Sequence, residues 1–273
     1  WGDTRLRILA GVRRCGFALQ STSLFAERIG ISKADSWIDM SVLEDCLRED
    51  LNDSAPRRVA VLKPLKLIID NYPQDHEEDC LAPNHPQKPE WGKRTIPFSK
   101  ILYIEHDDFM EVPVKGYFRL SPGVEVRLRY AFIVKCVRIE KNSQGDIEAI
   151  HCTYDPNTKS GTPGADSRKV KGNIHWLSAS YAQPAEVRLY DRLFTDPYPD
   201  SGDKDYKTSM NSDSKQITTA YVETALCEAE PEQSFQFERN GYFVADRVDM
   251  KKEKPVFNRA VTLRDSWGKI AGA

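Results

Sequence analysis

The sequence predicts a mainly β protein built of small barrels and preceded by a short helical segment. Apolar residues recur at helical spacing only in about the first fifty positions. From Arg58 onward the period falls to two, the spacing of a strand with one face buried. These period-two runs are short, numerous and separated by polar or turn-forming stretches, a pattern that suits barrels better than a parallel sheet.

In chain order, Ser23 can cap a helix running through Ile29, with Gly30 to end it. Ser41-Val42-Leu43-Glu44 reads as a capping box, and it opens a helix whose apolar stripe is Val42, Leu43, Cys46, Leu47 and Leu51. Pro56 stops that helix. Strands are predicted over residues 59–62, 65–69, 101–104, 124–139, 147–154, 174–178 and 187–193. Asn142-Ser143-Gln144-Gly145-Asp146 is a hairpin turn in which Gly145 can take positive φ. Residues 157–167 and 196–216 read as loops, and the second is so poor in apolar side chains that partial disorder is expected. No repeat of fixed period is present.

At 273 residues and 40% hydrophobic content, the chain can bury two or three cores. No apolar run approaches a membrane span. Trp1-Gly2-Asp3 offers neither an initiator Met nor a signal-peptide stretch, so a piece of a longer protein is expected. Cys15, Cys46, Cys80, Cys136, Cys152 and Cys227 are scattered singly without C-x-x-C, which points to reduced thiols in the cytoplasm and to no zinc or disulfide framework.

Catalytic chemistry finds little support. His76 lies in a run of acids that reads as a solvated loop, His106 precedes two aspartates in a turn, and His175 beside Trp176 reads as a structural strand histidine. No phosphate-cradling glycine loop, G-x-S-x-G or H-E-x-x-H occurs. No catalytic residue and no metal site is expected.

Polyanion binding is better served. Residues 122–130 read PGVEVRLRY, a strict alternation placing Val124, Val126, Leu128 and Tyr130 on one face and Glu125, Arg127 and Arg129 on the other. Side chains two apart on a strand stand roughly 7 Å apart, near the spacing of successive phosphates or splayed bases. An exposed Arg-x-Arg ladder is most often only a solvated face. Local charge favours more: residues 115–141 hold Lys115, Arg119, Arg127, Arg129, Lys135, Arg138 and Lys141 against only Glu125 and Glu140, within a chain of net charge −2. Tyr117, Phe118 and Tyr130 interleave with the arginines, a combination that single-stranded RNA recognition uses, although barrel core is the plainer place for Phe118.

The segments Glu49-Asp50-Leu51-Asn52, Ala55-Pro56-Arg57, Pro83-Asn84-His85-Pro86, Glu125-Val126-Arg127-Leu128-Arg129, Val170-Lys171-Gly172-Asn173-Ile174-His175-Trp176 and Phe235-Gln236-Phe237-Glu238-Arg239-Asn240-Gly241-Tyr242-Phe243 occur in that order. With Lys254-Pro255-Val256-Phe257-Asn258-Arg259 and Leu263-Arg264-Asp265, they make nearly the whole chain resemble the C-terminal half of bacterial glutaminyl-tRNA synthetase. The resemblance implies a helical connector over residues 1–55, an anticodon-binding β-barrel over 56–165 and a second barrel over 166–273, both closed and with terminal elements exchanged. It also implies that Arg57, Arg119, Arg127, Arg129, Gln236 and Arg239 contact anticodon bases or phosphates. Arg57, Gln236 and Arg239 are expected to converge near Arg119, since a small barrel sets its first and last strands side by side.

Gly116 and Phe118 depart from the family, whose familiar members carry a glutamine and a lysine there. The HIGH-like and KMSKS-like catalytic signatures are absent, so this piece is expected to recognise tRNA without activating an amino acid. ATP and Mg2+ would belong to a catalytic domain of the parent, a monomeric, cytoplasmic glutamine–tRNA ligase. The alternatives are the corresponding part of an archaeal/eukaryotic-type glutamate–tRNA ligase and a free-standing β-barrel RNA-binding protein.

Overall fold

The structure, a computed structural model, describes residues 3–5, 8–30, 33, 38–196, 198–199, 201–202 and 204–264. The chain divides into two compact units, one of residues 57–184 with 219–226 and the other of 1–56, 185–218 and 227–273. The architecture is mainly β, and where two closed barrels were expected the sheets form one nearly closed barrel and one half-barrel.

In the first unit the sheet order is Gly172–Ile174, Glu125–Leu128, Ile133–Lys141, Ile147–Asp155, Pro64–Ile69, Ile101–Glu105, Leu177–Ser178. The two edge strands are consecutive in the chain, separated only by His175 and Trp176, so one short corner brings the sheet almost to closure and leaves little free edge. Inside, Phe98 meets Tyr72, Phe132 and Trp176 edge-on at centroid distances of 5.2, 5.1 and 5.0 Å. Such edge-to-face contacts add to the stabilisation from burying large rings. A hairpin of Glu78–Pro83 and Lys93–Phe98 accompanies the barrel; the sequence reading missed both strands because prolines and charges mask their alternation.

In the second unit the strand order is Ser234–Phe237, Gly241–Ala245, Val256–Val261, Gln183–Tyr190, followed by residues 215–218, the first half of the strand Lys215–Val222. Leu47 and Leu51 of the helix Met40–Ser54 share a core with Cys15, Phe17, Tyr242 and Val261. The helical segment therefore folds onto the half-barrel. Asp246, fully buried, accepts from Arg14 Nε at 3.0 Å and Asn258 Nδ2 at 2.5 Å, joining the first helix, Leu9–Arg14, to the sheet. Burial pushes the Asp246 pKa up, but Arg14, Asn258 and two backbone N–H groups outweigh it and hold the carboxyl ionised.

Helix ends differ from the sequence expectation. The cap of Met40–Ser54 is Asp39, whose carboxylate accepts from Ser41 N at 2.7 Å, two residues ahead of the expected Ser41 box. The second helix spans Leu19–Ile29, so Ser23 lies inside it, while Gly30 ends it at φ +69° as expected. The hairpin at Asn142 forms with Gly145 at φ +91° and Asn142 Oδ1 accepting from the Gln144 and Asp146 amides, both at 2.9 Å. Residues 196–216 fall partly outside the described residues; a strand begins at Lys215.

Candidate nucleic-acid interface

The strand Glu125–Leu128 lies between Ile133–Lys141, antiparallel, and Gly172–Ile174, parallel. Val126 and Leu128 point into the barrel core as expected. The predicted run 124–139 is nonetheless two strands: Tyr130 takes φ +64° and reverses the chain. Val124 is 41% exposed instead of inward. Arg127 and Arg129 therefore do not form a two-residue ladder on one strand.

Their guanidiniums are also held by the protein. Arg127 Nη1 donates to Thr158 O at 2.8 Å and Ser160 Oγ at 3.3 Å, and Nη2 donates to Ala165 O at 2.8 Å. Arg168 bridges Glu125 and Asp155. The polar face of the strand is thus roofed by residues 156–168, neither bare to solvent nor wholly open to RNA. Of Arg127's five N–H groups, two are left for a ligand. Arg129 sits past the strand end: its amide donates to Ile174 O at 2.9 Å, its carbonyl accepts from Trp176 Nε1 at 2.8 Å, and its guanidinium stands 5.2 Å from the Tyr130 ring centroid. The Arg129 backbone helps secure the barrel corner.

Arg119 is the most open of the predicted arginines in this unit, its side chain 45% exposed. Nη1 donates to Asp107 O at 2.9 Å and pairs with buried Asp108 at 3.2 Å, which aims the guanidinium without enclosing it. Arg57 is by contrast 6% exposed, with its amide donating to Asn84 O at 2.7 Å. Phe118 is 55% exposed, so it is not core. Lys171 Nζ stands 5.0 Å from its ring centroid. Sequence reasoning set Phe118 aside because apolar aromatics are usually buried, and Lys171 is 53 positions away.

In the other unit, Gln236 lies on Ser234–Phe237 between buried Phe235 and Phe237, which sets its side chain on the opposite face, and its amide donates to Pro56 O at 2.9 Å. Arg239 is at φ +69° in the turn before Gly241–Ala245. Each of the six residues is thereby placed within its own unit.

His175 faces Glu105 at 3.4 Å, a partner on Ile101–Glu105 that sequence proximity could not reveal. Burial pushes the Glu105 pKa up, but His175 and the amides of Leu62 and Lys63 more than offset this and bring it to about 2. Among the described residues no group of three or more His, Cys, Asp or Glu side chains could hold a metal ion, and no helix is long and apolar enough to cross a membrane.

Two family descriptions match stretches of this chain. Residues 55–155 match the model described as "tRNA synthetases class I (E and Q), anti-codon binding domain", and residues 173–246 match a second model of the same description. The chain belongs to this family: it carries anticodon-binding domains of class I tRNA synthetases, a tRNA-binding function. Similar proteins include the glutamine–tRNA ligases of Nitrosomonas europaea, 64% identical over 98% of this chain and 48% of that protein, and Ralstonia nicotianae, 59% identical over 98% and 46%. That of Cupriavidus necator is 60% identical over 98% and 46%. The chain spans about half the length of these relatives.

Proposed function

We propose that this chain reads the anticodon of glutamine-specific tRNA on behalf of a glutamine–tRNA ligase, whose remaining half attaches glutamine to the tRNA using ATP and Mg2+ in the cytoplasm. The observation that carries the reading is the 64% identity to a protein of that name across 98% of the chain. The placement of Arg119, anchored by Asp107 and Asp108 yet half exposed, supports it, because a held guanidinium can meet a phosphate or base edge with little loss of side-chain freedom. Arg127 and Arg129 would add contacts through donors that the loop and Tyr130 leave over. Gln236 and Arg239 would contribute from the half-barrel, and Arg57 would act chiefly by shaping the barrel wall. The parent is proposed to act as a monomer.

The test is binding of the full-length protein to glutamine tRNA and to anticodon variants at two salt concentrations. Arg119→Ala should weaken binding by on the order of tenfold; relaxed discrimination at one position would mark a base contact, and uniform weakening with a smaller salt slope a phosphate contact. Equal affinity for cognate and anticodon-variant tRNAs in the unaltered protein would reject the reading.

A further inference from the structure

We propose that Phe118, with Lys171 over its ring, is a stacking platform for one unpaired RNA base, an inference that rests on the anticodon reading above. The core rings Phe98, Phe132 and Trp176 are almost wholly buried, whereas Phe118 is 55% exposed, more than Trp91 at 37% or Tyr181 at 41%, and Val112 and Val114 nearby in sequence are 80% and 65% exposed. An exposed ring on an unanchored loop would mean little. This one is anchored. Its carbonyl approaches Gly172 so closely that a Cβ there would lie 2.5 Å from the oxygen. On either side, Tyr117 Oη donates to Asp107 O at 3.3 Å and Arg119 Nη1 donates to the same oxygen at 2.9 Å. The ring is thus presented by a braced segment.

The neighbouring charge selects the occupant. Lys171 Nζ stands 5.0 Å from the ring centroid and pairs with no carboxylate among the described residues. A cation against an aromatic face beside Lys115 and Arg119 suits a nucleotide, whose base stacks on the ring while its phosphate meets the ammonium. An apolar protein surface would gain nothing from that charge. Because every base has a π face, the contact adds affinity while discriminating little between bases.

The experiment measures tRNA binding by the full-length protein with Phe118→Ala, Phe118→Leu, Phe118→Trp and Lys171→Ala. Loss of one stacked base should weaken binding on the order of tenfold for Ala and Leu, equally for cognate and anticodon-variant tRNAs and with the salt slope unchanged, while Trp retains affinity. Lys171→Ala should also lower the salt slope, by roughly 0.7 for one single-strand phosphate. Melting temperatures should stay within a degree or two, since the ring is mainly in solvent.

Unchanged affinity of Phe118→Ala and Phe118→Leu, in a protein that binds and discriminates tRNA, overturns the platform and leaves the anticodon reading standing. A large drop in melting temperature for Phe118→Ala also overturns it, by showing that the ring covers protein. Failure of the unaltered protein to discriminate anticodons removes the underlying reading instead.

Discussion

Arg127 reaches from its strand to two carbonyls and a hydroxyl of the loop that follows Ile147–Asp155, so its removal should be felt in folding as well as in binding. Hydrogen bonds from a charged donor contribute about 1.5–3 kcal/mol, and Arg127→Ala is expected to cost about that much, read as a lower denaturant midpoint at unchanged m. An unshifted midpoint would deny the loop-anchoring role. Arg119→Ala should cost about 1–3 kcal/mol, because its guanidinium is half in water but its partner Asp108 is fully buried. Alternation showed that residue 127 points away from the core; it could not show acceptors at Thr158 and Ala165, which lie in a stretch read only as loop. Glu105 gives a pH signature at the same scale. Its folded pKa of about 2 lies below the ordinary 4.5, so its stabilisation is full above about pH 4.5 and is lost as pH falls toward 2. The stability gap between the unaltered protein and Glu105→Gln should therefore close across that window in pH-dependent unfolding; a gap constant from pH 6 to 2 would contradict the assignment.

Elements were legible where one face is buried and local chemistry sets the ends. Pro64–Ile69 and Ile101–Glu105 lie close to their predicted runs because inward Leu and Ile alternate with outward residues, and Ile147–Asp155 lies close to its run although residues 149–152 are all buried. The run 124–139 failed at Tyr130, since a single left-handed residue reverses a chain without interrupting the apolar pattern. Gly172–Ile174 has too few residues for any period to declare it, yet it closes one edge of the barrel. Gly172 is required there by space. A Cβ would lie 2.5 Å from Phe118 O and 2.6 Å from Val126 Cγ1, and the first of these atoms is backbone. Gly172→Ala should force the strand from Glu125–Leu128 or displace the segment bearing Phe118, with a loss of about 1–3 kcal/mol and faster amide exchange at Asn173 and Ile174. Native-like exchange at those amides would show that the close approach is relieved more cheaply.

At the scale of the whole chain, the compact units are discontinuous, which the resemblance implied as an exchange of terminal elements but which periodicity alone could not locate. The helical start and the mainly β remainder were readable from period. The return of residues 219–226 to the unit of 57–184 was not, because it depends on partners more than a hundred positions away. Glu223 shows what that return supplies: it accepts from Val59 N at 2.5 Å and from Arg94 Nε at 2.8 Å, with both charged side chains nearly excluded from water. Two residues earlier, Tyr221 stacks on Tyr103 with centroids 4.4 Å apart. Taking the glutamate away leaves Arg94 buried without its main counter-charge, and breaking such a pair costs about 3–5 kcal/mol. Glu223→Ala in the full-length protein should therefore unfold at clearly lower denaturant, and Arg94→Ala should do likewise. The double variant should lose less than the sum of the two, since each single change already forfeits the shared interaction. A chain ending at Pro184 should show a loss at least as large, because it lacks both Glu223 and Tyr221. Additive single losses, or a chain ending at Pro184 as stable as one that retains residues 219–226, would show that the barrel is complete without the returning segment.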